Sequence, residues 1–455
     1  MSAPERPARP WAGRRLHLVG VGGAGISAYA RAASALGAEL SGSDAAESAY
    51  SRALAADGIL EARIGHAAEN VPPGDGVELV YSSAVPAENA ERVAARERGL
   101  RERSRAELLG ELTALRHTIA VAGTHGKTTT SAMLVHALRG AGLDPGWLIG
   151  GTIGGGLGNS HWSESEWLVV EADESDRSML SLEVEIALVT NVELDHHATF
   201  SSLAELSEAF AVFAARAKRA VVVWERPELL ALMPDAEAGA RIVPYDAHEL
   251  ALLAGGSRFD WRGHEVQLGV PGAHNAVDAA GALAAAATAG ADVVLAIDAL
   301  AQFRGAGRRF QKVGEGASRA QVYEDYAHHP TEIAATLRGA RTLPHRRLLA
   351  VFQPHLYSRT KLLARDFGKA LAGADVVVVL DVFPARERAV DHPGVSGLTI
   401  AEAAADAASG RPVYWLPRFE EAERVLGELL GDGDLCVVMG AGDVDVLARR
   451  LVEQA

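Results

Sequence analysis

Short apolar runs, each closed by glycine or a polar cluster, alternate along the chain with segments of helical periodicity. That alternation predicts βαβ units and mostly parallel sheets. Buried strands are expected at residues 16–19, 79–82, 117–122, 167–172 and 186–190, then at 322–325, 348–352, 376–380, 413–416 and 435–439. The pattern separates into three blocks, 1–115, 116–305 and 306–455, of which the last reads as a second doubly wound sheet. The expected fold class is α/β with three domains and no tandem repeat.

The run Gly123-Thr124-His125-Gly126-Lys127-Thr128-Thr129-Thr130 lies between a predicted strand and a predicted helix, the context of a phosphate loop. Glycines let backbone N–H groups close around phosphate oxygens, and the helix N-terminus favours their charge. Lys127 can reach a β- or γ-phosphate, and the Thr128 hydroxyl can hold Mg²⁺. ATP is the expected cofactor. The strict pattern places a glycine six residues before the lysine; Val121 stands there, so this loop is shorter than in ordinary kinases and GTPases. Upstream, Gly20-x-Gly22-x-x-Gly25 follows a strand and opens a helix, with Asp44 nineteen residues later, as in a dinucleotide fingerprint. Its physical content is that a diphosphate can approach backbone amides at a helix start, which UDP satisfies as well as NAD.

Carboxylates gather beyond the strand at 167–172, which delivers Glu171, Asp173, Glu174 and Asp176. One of them, with Thr128, is expected to hold Mg²⁺, whereas Glu174 is read as a solvated loop residue. The next strand leads into Asn191-x-x-x-Asp195-His196-His197 at the same carboxyl edge, and one of these histidines is read as a metal or substrate ligand. The third block carries Gly307-Arg308-Arg309, the run from Glu324 to Pro330, and Gln353-Pro354-His355-Leu356-Tyr357-Ser358-Arg359. Histidines and arginines at successive strand ends suit a pocket for carboxylate or phosphate groups.

Composition narrows the partners. The 455 residues are 48% hydrophobic and 23% charged, ordinary for a globular chain with real cores. With 44 basic against 59 acidic side chains and a formal charge of -15, a nucleic-acid partner is not expected, and an anionic substrate needs a local basic pocket. Arg14 and Arg15 ahead of the uncharged run 16–30 imitate a signal peptide, but glycines at 20, 22, 23 and 25 suit a strand and tight loop instead. The Ala-rich stretch 279–291 is short and weakly apolar, so no membrane insertion is expected. The single cysteine, Cys436, lies in an apolar run and cannot form an internal disulfide, which points to a reducing, cytoplasmic location.

In their order and spacing these residues resemble the Mur ligases of peptidoglycan synthesis over nearly the whole chain. The resemblance rests on Gly20 to Gly25, Ser41-Gly42-Ser43-Asp44, Ser82-Ser83-Ala84-Val85, the loop at Gly123 to Thr130, Glu171 to Asp176, Asp195-His196-His197, Arg308-Arg309-Phe310, Asp325 to Glu332 and Phe352 to Thr360. It implies a UDP-substrate-binding Rossmann-like domain at 1–115, a central P-loop-type ATPase at 116–305, and a C-terminal Rossmann-like domain at 306–455 that closes over ATP and amino acid. The implied reaction is ATP-dependent ligation of L-alanine to the carboxylate of UDP-N-acetylmuramate through an acyl phosphate. By the same resemblance Lys127 contacts the γ-phosphate, Thr128 and Glu171 hold one Mg²⁺, and His196 is a ligand of a second. Gly123, Thr124, His125, Gly126, Thr129, His274, Asn275, Arg309 and Asp325 contact ATP. Gly22, Gly23, Asp44 and Ser83 lie along UDP, and Tyr326, His328, His355 and Arg359 form the amino-acid pocket, with Arg359 on the alanine carboxylate. A homodimer stays open.

Two positions depart from the family pattern: Leu356, where an arginine is frequent, and Asp278, where an asparagine is common. Neither removes a reacting group, although the first shifts alanine recognition onto Arg359. Three rivals remain at this level. A muropeptide-recycling ligase would join a tripeptide to the same acceptor through a wider pocket. An NAD-dependent oxidoreductase leaves Lys127 and its carboxylates unexplained, and a regulatory ATP-binding module leaves the third-block clusters unexplained.

Overall fold

The computed structural model describes residues 9–195, 199–233, 239–316 and 318–453. The chain is a three-domain α/β fold with mostly parallel sheets, and its contacts group it into two compact units, Met1–Asp246 with Asp278–Leu300, and Ala247–Val277 with Ala301–Ala455.

In the first unit, β1 (Arg15–Val19), β2 (Glu39–Asp44), β3 (Arg63–Ile64), β4 (Val77–Tyr81) and β5 (Arg101–Ser104) form an all-parallel sheet of order β3-β2-β1-β4-β5. The order reverses between β1 and β4, where an open α/β sheet leaves a crevice beyond its carboxyl ends. Leu16, Leu18 and Val19 of β1 are buried on both faces, as a central parallel strand requires.

The second sheet of this unit comprises β6 (His117–Ala122), β7 (Gly146–Ile153), β8 (Gly158–His161), β9 (Trp167–Ala172), β10 (Val184–Val189), β11 (Ala217–Trp224) and β12 (Arg241–Tyr245), in the order β12-β11-β10-β6-β9-β7-β8. Only the β7/β8 pair is antiparallel. Ala122 of β6 pairs with Ala172 of β9 on one side and Val189 of β10 on the other. This register sets the loop after β6 level with the ends of both neighbours. The helix Ala273–Thr288 is rich in alanine because it packs closely: a Cβ on Gly281 would lie 2.8 Å from the Tyr245 ring.

The second unit opens on an antiparallel meander, β13 (His248–Leu253), β14 (Gly256–Trp261) and β15 (His264–Leu268). Its six-stranded sheet contains β16 (Gln311–Glu315), β17 (Gln321–Asp325), β18 (Leu348–Phe352), β19 (Val376–Val379), β20 (Val413–Trp415) and β21 (Leu435–Met439), ordered β16-β17-β21-β18-β19-β20. All pairs but β16/β17 are parallel. Alternate residues of β18 feed two cores: Leu348, Ala350 and Phe352 join one cluster, Leu349 and Val351 the other. A strand with both faces buried reads as a continuous apolar run, which is why this one was visible in the sequence. Cys436 of β21 is buried, and burial pushes its thiol up to about 12. Among the described residues no helix is long and apolar enough to cross a membrane.

Candidate active site

The loop between β6 and the helix Lys127–Gly140 is shaped by two glycines at positions where any side chain would be strained. Gly123 has φ +150°, and a Cβ there would sit 1.8 Å from Thr190 Oγ1; Gly126 caps the helix at φ +82°, where a Cβ would meet Asp278 Oδ1 at 2.8 Å. The residues after β10 hold the loop from the side. The His125 N–H donates to Asn191 Oδ1 at 2.9 Å, Asn191 Nδ2 donates back to the His125 carbonyl at 2.9 Å, and Thr190 Oγ1 donates to that carbonyl at 2.7 Å. Thr124 Oγ1 donates to the Glu193 carbonyl and accepts from the Glu193 N–H, both at 2.9 Å, while the His125 ring pairs with the Glu193 carboxylate at 3.0 Å. Thr128 and Thr129 are buried in the first helical turn. Of these contacts, Glu193 is the partner that the sequence did not suggest.

Lys127 is not extended toward solvent. Its Nζ donates to the Gly123 carbonyl at 2.5 Å, the Thr124 carbonyl at 3.2 Å, and both carboxylate oxygens of Glu174 at 3.0 and 2.9 Å. Glu174 is 0% exposed, so the expectation of a solvated loop carboxylate is corrected: the turn after β9 points this side chain inward, where the ammonium compensates its desolvation. Burial by itself would lower the Lys127 pKa, but the carboxylates of Glu174, Asp173 and Glu171 outweigh it and raise it, so the lysine is cationic at neutral pH.

The other carboxylates beyond β9 divide by partner. Arg105, at the start of the helix Arg105–Thr113, donates from Nη2 to Asp173 Oδ2 at 2.9 Å and from Nε to Asp176 Oδ2 at 2.8 Å. Burial would raise the Asp173 pKa; the Lys127 and Arg105 charges, with the Ser175 hydrogen bonds, hold it down at about 2. Glu171 accepts the Gly150 N–H at 2.8 Å through Oε1. A hydroxyl on Thr128 and a carboxylate on Glu171 are hard oxygen donors, the set Mg²⁺ prefers. His196 and His197 lie outside the described residues.

At the carboxyl edge of the first sheet, the Gly22 N–H donates to Asp44 Oδ2 at 2.8 Å, and Ser48 Oγ donates to the Gly22 carbonyl at 2.8 Å. Gly23 and Ser83 are exposed beside this crevice, so the structure gathers the expected UDP residues at one edge. Beneath it lies a network without a sequence signal. Glu91 is buried and accepts from Ser43 Oγ at 2.7 Å; His17 Nε2 lies 2.7 Å and His66 Nδ1 2.8 Å from its carboxylate. The Ser43 carbonyl in turn accepts the Gly20 and Val21 N–H groups at 2.9 and 3.1 Å, tying the network to the glycine loop.

The second unit assembles the third-block residues at one edge of its sheet. Asp325 ends β17 and accepts the N–H groups of Phe310 at 2.7 Å and Ala327 at 2.6 Å. Burial pushes its carboxyl up to about 6, against the opposing pull of Arg309 and these amides. The Tyr326 ring is flanked by Arg308 and Arg309, whose guanidinium carbons lie 4.9 and 5.0 Å from its centroid. His328 packs edge-on against both Tyr326 and His355, with ring centroids 5.4 and 6.0 Å apart, and its Nδ1 is 3.2 Å from Glu332. Arg359 is 4% exposed, with Nη1 3.5 Å from His355 Nδ1. Leu356 takes φ +71° where the chain turns into the helix Tyr357–Leu362, and its side chain is buried. At the head of the helix Ala273–Thr288, His274 is exposed and Asn275 donates to the Pro271 carbonyl at 2.7 Å.

Three family models match the chain in sequence order: the Mur ligase family catalytic domain at residues 15–117, the Mur ligase middle domain at 121–286, and the Mur ligase glutamate ligase domain at 308–442. The chain is 41% identical to the UDP-N-acetylmuramate–L-alanine ligase of Mycolicibacterium vanbaalenii, covering 97% of this chain and 96% of that protein. It is 40% identical to the ligase of the same name from Rubrobacter xylanophilus, over 96% and 99%. Its structure is similar to the crystal structure of UDP-N-acetylmuramate-alanine ligase from Thermotoga maritima, with TM-score 0.82, 27% identity, and coverage of 97% and 98%. The fold is also that of a murein peptide ligase from Psychrobacter arcticus, with TM-score 0.72, 24% identity, and coverage of 96% and 98%.

Proposed function

The chain belongs to the Mur ligase family, and on that premise we propose that it joins L-alanine to the carboxylate of UDP-N-acetylmuramate while splitting ATP to ADP and phosphate. The observation that carries the reading is Lys127, a partly buried cation at the mouth of a phosphate loop, set level with the carboxyl ends of β9 and β10. Full-length likeness to alanine-adding ligases supports L-alanine over a tripeptide as the incoming amine.

The chemistry is that of making a carboxylate acylable. Transfer of the γ-phosphoryl group to the muramoyl carboxylate converts oxide, a poor leaving group, into phosphate. The alanine amine then attacks the acyl phosphate, and the tetrahedral intermediate expels phosphate. Such a reaction needs alignment and charge neutralisation more than covalent help from the protein. Lys127 supplies positive charge at the transferring group, and the loop amides together with the helix N-terminus hold the phosphates. Thr128 and Glu171 would hold Mg²⁺, which supplies further charge neutralisation on phosphate oxygens when bound. Gly22, Gly23, Asp44 and Ser83 are assigned to UDP; His274, Asn275, Arg309 and Asp325 to ATP; Tyr326, His328, His355 and Arg359 to alanine. These assignments extend to domain roles at 1–115, 116–305 and 306–455, and to a cytoplasmic site for the reaction.

Phosphate release tests the reading. Release is expected with UDP-N-acetylmuramate plus L-alanine and not with tripeptide as the amine; the reverse preference would replace the proposal with the recycling reaction. Lys127→Ala is expected to abolish release while binding of the UDP substrate, measured by calorimetry, changes by less than about threefold. Undiminished turnover in that variant would remove Lys127 from the mechanism.

A further inference from the structure

We propose that Glu174 is a positioning residue for Lys127: a buried counter-anion that holds Nζ when no nucleotide is present and that the nucleotide phosphates must displace. The inference rests on the assignment of Lys127 to an ATP phosphate and deepens it. An ammonium has three N–H bonds, and the four contacts of Lys127 Nζ, to the carbonyls of Gly123 and Thr124 and to both oxygens of Glu174, occupy all of them. A phosphate oxygen therefore reaches Lys127 only by exchange with one of these acceptors. The two carbonyls belong to the loop that is to wrap the phosphates, so Glu174 is the partner that gives way. Its side chain is 0% exposed and follows a strand end fixed in register with β6, which prevents it from moving out with the lysine.

The exchange has a functional consequence. ATP binding is weakened by the strength of the Lys127–Glu174 pair, and the same pair re-forms when nucleotide leaves, which favours release of ADP. Asp173 does not substitute for Glu174, because Arg105 and the Ser175 N–H already engage its two oxygens.

The test uses the full-length protein and displacement of a fluorescent nucleotide by AMP-PNP and by ADP, followed to millimolar concentration. Glu174→Gln keeps shape and an acceptor while removing the charge, and should tighten both ligands about tenfold, the worth of one charge-assisted hydrogen bond. In a Lys127→Ala background the same substitution should change affinity by less than about twofold. Unchanged or weaker binding in Glu174→Gln overturns the proposal, as does equal tightening without Lys127, which would reflect only the loss of a negative charge near the phosphates. If Glu174→Gln fails to fold by thermal melting, Glu174→Asp draws the carboxylate back and should also tighten both ligands; unchanged or weaker binding there overturns the proposal equally. Failure of the unsubstituted protein to bind AMP-PNP would instead overturn the nucleotide assignment itself.

Discussion

Glu91→Gln is expected to destabilise the first sheet by about 3 kcal/mol at neutral pH, and the loss should shrink in acid. The side chain is 0% exposed, and Ser43, His17, His66 and Asn70 all bond to its carboxylate. Burial would raise its pKa, yet these four partners overcome that and bring it from 4.5 to about 2. At about 1.4 kcal/mol for each tenfold change in proton affinity, the difference amounts to roughly 3 kcal/mol in favour of the ionised form when folded. The folded value lies below the unfolded one, so this stability is fully present above the unfolded pKa and drains away as pH falls toward 2. Near pH 3.5 about 2 kcal/mol should remain. The glutamine variant preserves shape but cannot carry the charge. Urea unfolding followed by hydrogen exchange of peptides from β1 and β2 reads this sheet rather than the whole chain. The gap between the two proteins should fall from about 3 kcal/mol at pH 7 to about 2 at pH 3.5. A gap that does not vary with pH would refute the reasoning, because it would mean that packing, not the buried charge, sustains the network.

Two further substitutions probe the site directly. Gly126→Ala forces a side chain to φ +82° and a Cβ against Asp278, so thermal melting should show a loss of about 2 kcal/mol together with weakened AMP-PNP binding; a loss below about 0.5 kcal/mol would contradict the geometry. Arg359→Lys, at a position 4% exposed, exchanges a planar fork for a point charge and should raise KM for L-alanine about 10-fold or more while leaving KM for the UDP substrate unchanged.

Much of the architecture was legible because parallel strands buried on both faces leave uninterrupted apolar runs. β6, β9, β18 and β21 occupy the same residues as the predicted strands, and the phosphate loop stands between the strand and helix expected of it. The meander β13–β15 was not read, since His248, Glu249, Arg258, Glu265 and Gln267 interrupt its apolar positions and its two outer strands, β13 and β15, are largely exposed. β10 begins at Val184, two residues before the predicted start, because Glu185 breaks the apolar run, and the register to β11 shifts there before the ladder continues from Ile186.

The sequence by itself determined the loop: glycines at 123 and 126, with a lysine at 127 and a threonine at 128 opening the helix, form a local pattern that backbone sterics and helix geometry make readable. It also determined which strand ends would offer carboxylates. Only the tertiary structure decided what each carboxylate does. Glu174 turns inward onto Lys127, Asp173 and Asp176 are engaged by Arg105 from about seventy positions away, and Glu91 is buried among partners from β1, β2 and the segment that follows β3. Spacing along a chain fixes which face or edge a residue occupies, but the state of a charge depends on its desolvation and on the charges that distant segments bring to it. Those are properties of packing, and no local pattern encodes them.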